Sequence, residues 1–179
     1  MYAPFIFLSL FVMHSAVSAE SKLEQVTITA TRTNTSGDEL PLTWTLVNEE
    51  QLNITNSTHI NEIMQKVPGT LISRGNGQEL LASVRSPVFT GAGSCAEILI
   101  TEDGLPIRPT GMCNVNQLFE VNTEQASGVE IWRGPGTVFY GSNAMHGVIN
   151  SLSPEVRSNV ITTEVGSNDY HRTKIRLRN

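Results

Sequence analysis

"VEIWRGPGTVFYGSNAMHGVIN", residues 129–150, opens as a strand, with Val129, Ile131 and Trp132 beside Glu130, and then breaks into Gly134, Pro135, Gly136, Gly141 and Gly147. Glycines next to an arginine raise the idea of a phosphate-cradling loop, and the spacing rejects it. The dinucleotide fingerprint begun by Gly134 and Gly136 requires a glycine at position 139, where Phe139 stands. Gly136 and Gly141 have phosphate-loop spacing, but Ser142 and Asn143 replace the lysine and hydroxyl residue that reach phosphate and metal. The segment has to be read in its setting.

Working outward, the chain has 179 residues, 39% of them hydrophobic, enough for one ordinary core or one small domain with appended segments. Twelve Lys and Arg against 17 Asp and Glu give a net charge of -5. That balance argues against a broad nucleic-acid surface, which needs clustered positive charge to neutralise phosphates. At the N-terminus, "FIFLSLFVMHSAVSA" is an apolar run followed by small residues, with Val17 and Ala19 where a signal peptidase accepts them. It reads as a secretory signal over residues 1–19, with only the terminal amine supplying positive charge ahead of it. The run is short of the about 20 apolar residues of a membrane-spanning helix.

Export makes the cysteines readable. Cys95 and Cys113 are separated by 17 residues, which matches no CxxC redox or zinc pattern. In an oxidising compartment a disulfide is the simplest reading and would contribute about 3 kcal/mol by closing a loop of this size; two buried thiols are the alternative.

After the signal, residues 20–42 read as an exposed arm carrying one β-branched patch, Val26 to Thr31. The patch is too small to anchor a core, and composition leaves two readings open. It is either a strand that adds to a partner's sheet edge or the domain's ordinary first strand. Thr43 to Val47 reads as a strand, with Asn48 capping a short helical turn. Ile60, Ile63, Met64 and Val67 form one helical stripe, with Ser57 or Thr58 as cap and Pro68-Gly69 as terminator. His59 and Glu62 lie on adjacent turns without a third ligand, so a solvated helix face is expected there rather than a metal site.

"GTLISR", "LLASVR", "AEILIT" and "LPI" are short strands, and Asp103-Gly104 joins the last two as a hairpin turn. A disulfide would pin together the loops on either side of that hairpin as a candidate binding surface. "NQLFEVNTEQASG" predicts one or two short helical turns capped by Asn122, before the strand Val129 to Arg133 and a last short strand in "GVINSLSP". Short strands mixed with few helices make an α+β chain rather than a regular βαβ series. Residues 160–178 alternate around Gly166-Ser167-Asn168-Asp169, with one side charged and the other mostly apolar. That pattern fits a half-buried hairpin or the first strands of a membrane barrel.

The catalytic patterns fail: there is no HExxH and no Gly-x-Ser-x-Gly, and Glu102 and Asp103 are adjacent in a turn, where carboxylates are solvated turn formers. Asn34, Asn53 and Asn56 begin glycosylation sequons that carry weight only in a eukaryotic source.

The order of "EQVTITATR", "INEIMQKVPGTLISR", "EILITEDGLPI" and the opening segment, behind a signal peptide, resembles the plug domain of TonB-dependent outer-membrane receptors from about Glu24 to Leu152. The resemblance implies a small mixed-sheet plug over residues 43–153, and the start of the family's barrel of about 22 strands over residues 154–179. By the same resemblance, Glu24, Gln25, Val26, Thr27, Ile28, Thr29 and Ala30 match the TonB box, which binds the energy-transducing protein by strand addition. Arg85 and Arg133 match arginines that meet acidic residues on the barrel wall. The apices carrying Arg74, Asn76, Phe89, Arg108 and Met112 face the substrate, and a Cys95–Cys113 bridge would stiffen two of them.

The implied function is gating of energised uptake of a scarce nutrient such as a ferric siderophore, haem, cobalamin or a sugar, with no cofactor, no metal and no bond made or broken. The implied partners are TonB, the barrel and the nutrient, at the outer membrane or, without a barrel, in the periplasm. A chain ending after about two of the family's strands has an open edge that lipid does not tolerate, so a fragment, truncated gene or split receptor is expected. A stand-alone periplasmic binding or signalling module with the same fold is the alternative, and an exported hydrolase lacks a catalytic set.

Overall fold

The computed structural model describes residues 27–28, 35–36, 41–57, 59–74, 80–88, 98–107, 121–136, 138–141, 143–154 and 158–178. The signal segment, Glu24 to Val26, Thr29, Ala30, Asn76, Phe89, Cys95, Arg108, Met112 and Cys113 lie outside the described residues, as does the side chain of Arg74.

The elements in chain order are β1 (Thr27–Ile28), β2 (Thr35–Ser36), β3 (Thr43–Asn48), α1 (Glu49–Thr55), α2 (Ile60–Met64), β4 (Thr70–Arg74), β5 (Leu80–Val84), β6 (Ile98–Glu102), β7 (Leu105–Pro106), β8 (Gly128–Arg133), β9 (Gly147–Leu152), β10 (Val160–Val165) and β11 (His171–Arg176). Five strands form the central mixed sheet in the order β3-β8-β9-β6-β7, in which only the β6–β9 pair is parallel. This is the expected α+β architecture. β4 pairs with β5, and β10 with β11, each as a separate antiparallel ribbon. β1 pairs with β2, Thr27 opposite Ser36, in a sheet apart from the central one.

Register explains where the core sits. Opposed residues share a face, so Val47, Val129, Ile131, Ile149, Ile98 and Ile100 line one side of the sheet and are buried with Ile60, Ile63 and Met64 of α2. The other side carries Leu99, Val148 and Trp132, packed with Tyr140 and Ala144 from the glycine-rich segment. Apolar residues on both faces make β8 and β9 buried nearly throughout, the pattern of strands covered on two sides.

Three local outcomes depart from the sequence reading or sharpen it. Asn48 does cap α1: its Oδ1 accepts from the Gln51 N–H at 2.9 Å and the Gln51 Oε1 accepts from the Asn48 N–H at 3.2 Å, a reciprocal capping box. In α2 neither Ser57 nor Thr58 is the cap. His59 takes that place, its Nδ1 accepting from the Asn61 N–H at 3.0 Å, so the half-buried imidazole is a cap acceptor and not part of a solvated face. The helix is shorter than its apolar stripe, because tighter turns carry the chain on to the buried Val67. Residues 121–127 form turns rather than the expected helical segment, with the Thr123 N–H bonded to the Val121 carbonyl at 2.9 Å in place of an Asn122 cap.

Candidate functional site

The end of β8 delivers Arg133 beside the turn at Pro68-Gly69, where the sequence expected α2 to stop. Its Nη1 donates to the Pro68 carbonyl at 2.7 Å and its Nη2 to the Trp44 carbonyl at 3.0 Å, while its Nε is buried without a partner. The guanidinium is thus oriented by two neutral carbonyls. Arg85, just past β5, comes to the same turn through its backbone N–H, which donates to the Gly69 carbonyl at 2.8 Å. A Cβ at Gly69 would lie 3.3 Å from Arg85 Cγ and 3.8 Å from Arg133 Cδ, so the two stems flank one α-carbon.

Arg133 is held below the usual guanidinium range by its burial first and by the neighbouring Arg85 second. Arg85 has a left-handed backbone, φ 50, which is costly for a residue with a Cβ. The residue is exposed, and among the described residues its Nη1 reaches the Thr43 hydroxyl at 3.5 Å. Among the described residues neither arginine has a carboxylate partner. Two like charges sharing one turn make a site suited to an anion supplied from outside the fold.

The glycine-rich segment packs as its composition requires. A Cβ at Gly147 would meet the Trp132 carbonyl oxygen at 2.6 Å and Val84 Cγ1 at 2.9 Å, so only glycine lets β9 approach β8 and β5 there. The Gly136 N–H closes the loop on the Ala144 carbonyl, and Tyr140 stacks at a tilt on Trp132 with ring centroids 4.9 Å apart. On the same face a polar ladder crosses three strands. The Thr101 hydroxyl and the Gly104 N–H both donate to Asn150 Oδ1, at 2.7 and 2.9 Å, and Asn150 Nδ2 donates to Glu130 Oε2 at 3.1 Å. Thr101, Glu130 and Asn150 are wholly buried, so the ladder fixes register in the middle of the sheet. Asp103 is the turn former expected, its Oδ1 accepting from the Ser153 N–H at 2.8 Å.

The β10–β11 ribbon has the opposite polarity. Ile161, Val165, Ile175 and Leu177 are 70, 82, 58 and 66% exposed, and the charged face carrying Glu164, Arg172, Lys174 and Arg176 turns toward α1. There Arg176 pairs with Glu49 at 2.8 Å, Arg172 with Glu164 at 3.1 Å and with Glu124 at 3.4 Å, and Lys174 with Glu164 at 3.6 Å. Sequence reading missed this junction; the alternation of β11 gave its charged side but not the helix it meets.

A sequence model of the family described as "TonB-dependent Receptor Plug Domain" matches residues 36–148. The chain belongs to that family. Its fold is similar to that of three solved receptors. The ferripyoverdine receptor of the outer membrane of Pseudomonas aeruginosa, bound to ferripyoverdine, matches with TM-score 0.64 and 20% identity over 84% of this chain and 19% of its own. The ferric yersiniabactin uptake receptor FyuA of Yersinia pestis matches with TM-score 0.57 and 22% identity, covering 75% of this chain and 21% of its own. The alcaligin outer-membrane receptor FauA of Bordetella pertussis matches with TM-score 0.56 and 23% identity, covering 81% and 24%. The plug-family chain therefore spans about a fifth to a quarter of the length of the receptors it matches. At these identities the likeness shows the fold.

Proposed function

We propose that this chain is the gating plug of an outer-membrane receptor energised by TonB, a receptor that imports a scarce nutrient of the ferric-siderophore class without making or breaking a bond, and that the chain does not transport by itself. Residues 43–153 form the plug and residues 154–179 the first strands of the surrounding wall. The observation that carries this reading is the inverted hairpin: a plug-family sheet is followed by a ribbon with its apolar face outward and its charged face on the plug. In water such a face is a liability, and against lipid it is the stable arrangement of a barrel strand.

The arginine pair supports the same reading. Strain at Arg85 and the buried, unpartnered Nε of Arg133 are features that the described fold does not itself use, and such outliers point to function. We assign them to carboxylates on the barrel wall. Glu24 to Ala30 serve as the TonB-binding arm, and the observed strand pairing of Thr27–Ile28 supports that segment's capacity for strand addition. Arg74, Asn76, Phe89, Arg108 and Met112 are assigned to the nutrient-facing apices, and Cys95 and Cys113 to a bridge between two of them. Siderophore is favoured over haem or cobalamin because the receptors similar in fold include those for ferripyoverdine, ferric yersiniabactin and alcaligin.

The test is a calorimetric titration of the chain with the C-terminal domain of TonB. Binding is expected for the intact arm and is lost on deleting residues 24–30. Equal heats from both proteins would remove the arm assignment, and no heat from either would remove the energised-receptor reading.

A further inference from the structure

The junction between α1 and the hairpin is held by polar and charged side chains. Asn56 ends α1 in a left-handed conformation, φ 46, its N–H closing on the Leu52 carbonyl at 2.8 Å. From there its side chain works in both directions. Nδ2 donates to Glu164 Oε2 at 2.8 Å, while Oδ1 accepts from Lys174 Nζ at 3.2 Å and from Arg172 Nη2. One neutral amide thus sits among three charges of the hairpin. At the other end of α1 the Arg176–Glu49 pair closes the contact.

Between these two anchors lies a cavity of about 470 Å³, lined among others by Asn53, Thr162 and Lys174. Val160 lines it beside these polar groups, and a gap of this size has room for water where a packed core would have none. The hairpin's large apolar side chains Ile161, Val165 and Ile175 are on its opposite face. An interface of charged hydrogen bonds around such a gap, with Val160 the hairpin's apolar side chain on this face, separates with little exposure of apolar surface, and salt weakens it.

We propose that Asn56 is the hub of a releasable ionic latch that holds the plug against its first two wall strands, and that the plug leaves the wall at this point. The proposal rests on reading the hairpin as wall strands. An isolated two-stranded ribbon is marginal in water, so the ribbon's order depends on the latch.

Hydrogen exchange of the whole 179-residue chain in non-ionic detergent tests it. Asn56→Gly removes the hub but keeps the left-handed cap, which glycine adopts freely, so the helix end survives. Residues 160–165 and 171–176 are expected to exchange about tenfold faster, with residues 128–133 and 147–152 unchanged. Glu164→Gln, which leaves α1 intact, and about 1 M salt, which shortens screening to about 3 Å, are expected to give the same pattern. Unchanged hairpin exchange in all three conditions would overturn the latch, as would equal acceleration of hairpin and central sheet. Hairpin exchange that is indifferent to added detergent would overturn the wall-strand reading by itself.

Discussion

The strands β8 and β9 of the central sheet and the strands β10 and β11 of the hairpin are all six residues long, yet they place their apolar side chains in opposite surroundings. In β8 and β9 nearly every residue is buried, and the polar side chains of Glu130 and Asn150 are held in a hydrogen-bonded ladder. In β10 and β11 the charged side chains are the half-buried ones and the apolar ones stand outside. Alternation alone does not say which face of a strand is sheltered; the partner surface decides it. α1 offers Glu49 and Asn56, so the charged face of the ribbon turns inward.

If that contrast is real, the largest effect of a single truncation falls in the sheet. Ile131→Ala removes a side chain with no solvent exposure, and about 2–5 kcal/mol of stability is expected to go with it, read by urea unfolding followed through Trp132 fluorescence. A loss below about 1 kcal/mol would mean the sheet is not the rigid half of the comparison. Asn150→Leu is expected next, at about 1–3 kcal/mol, because the Thr101 hydroxyl, the Gly104 N–H and the Glu130 carboxylate each lose a partner in the interior. The same unfolding curve checks it, and a neutral outcome would show that the ladder is not holding register. Arg85→Gly reverses the sign. Relief of an exposed left-handed residue is expected to stabilise the isolated chain by about 0.5–1 kcal/mol, so destabilisation would contradict the view that this arginine is kept for an external partner.

The sequence made the sheet legible because its signals are local: the Asp103-Gly104 turn, the Asn48 cap and the runs at 98–102 and 128–133 each specify their element within a few residues. Family resemblance singled out Arg85 and Arg133 as contacts of the barrel wall, and it did not signal that the fold brings both to one turn. What it hid is non-local. The His59 cap stands where two better cap formers precede it, and Ser57 is buried instead. The Glu130–Asn150 ladder depends on a register between strands that no single strand encodes. Asn56 looked like part of a sequon, and its role follows only from a hairpin more than a hundred residues later. An asparagine just past a helix is a recognised left-handed cap, and that was the one local signal available.

The smallest effect is the one that separates the two regions most sharply. Ile175 has the same side chain as Ile131, but it stands 58% exposed on the outer face of β11, paired across the ribbon with Ile161. Its replacement by serine removes apolar surface that the folded chain does not bury, so the urea midpoint of the central sheet is expected to move by less than about 0.5 kcal/mol. Retention of the chain on lipid vesicles should fall in the same variant, since each apolar group on that face contributes to partition into hydrocarbon. Loss of sheet stability by more than about 1 kcal/mol would mean that Ile175 packs against protein, and the contrast between the two regions would collapse. Unchanged vesicle retention would leave the sheet as described and remove lipid as the reason the hairpin faces outward.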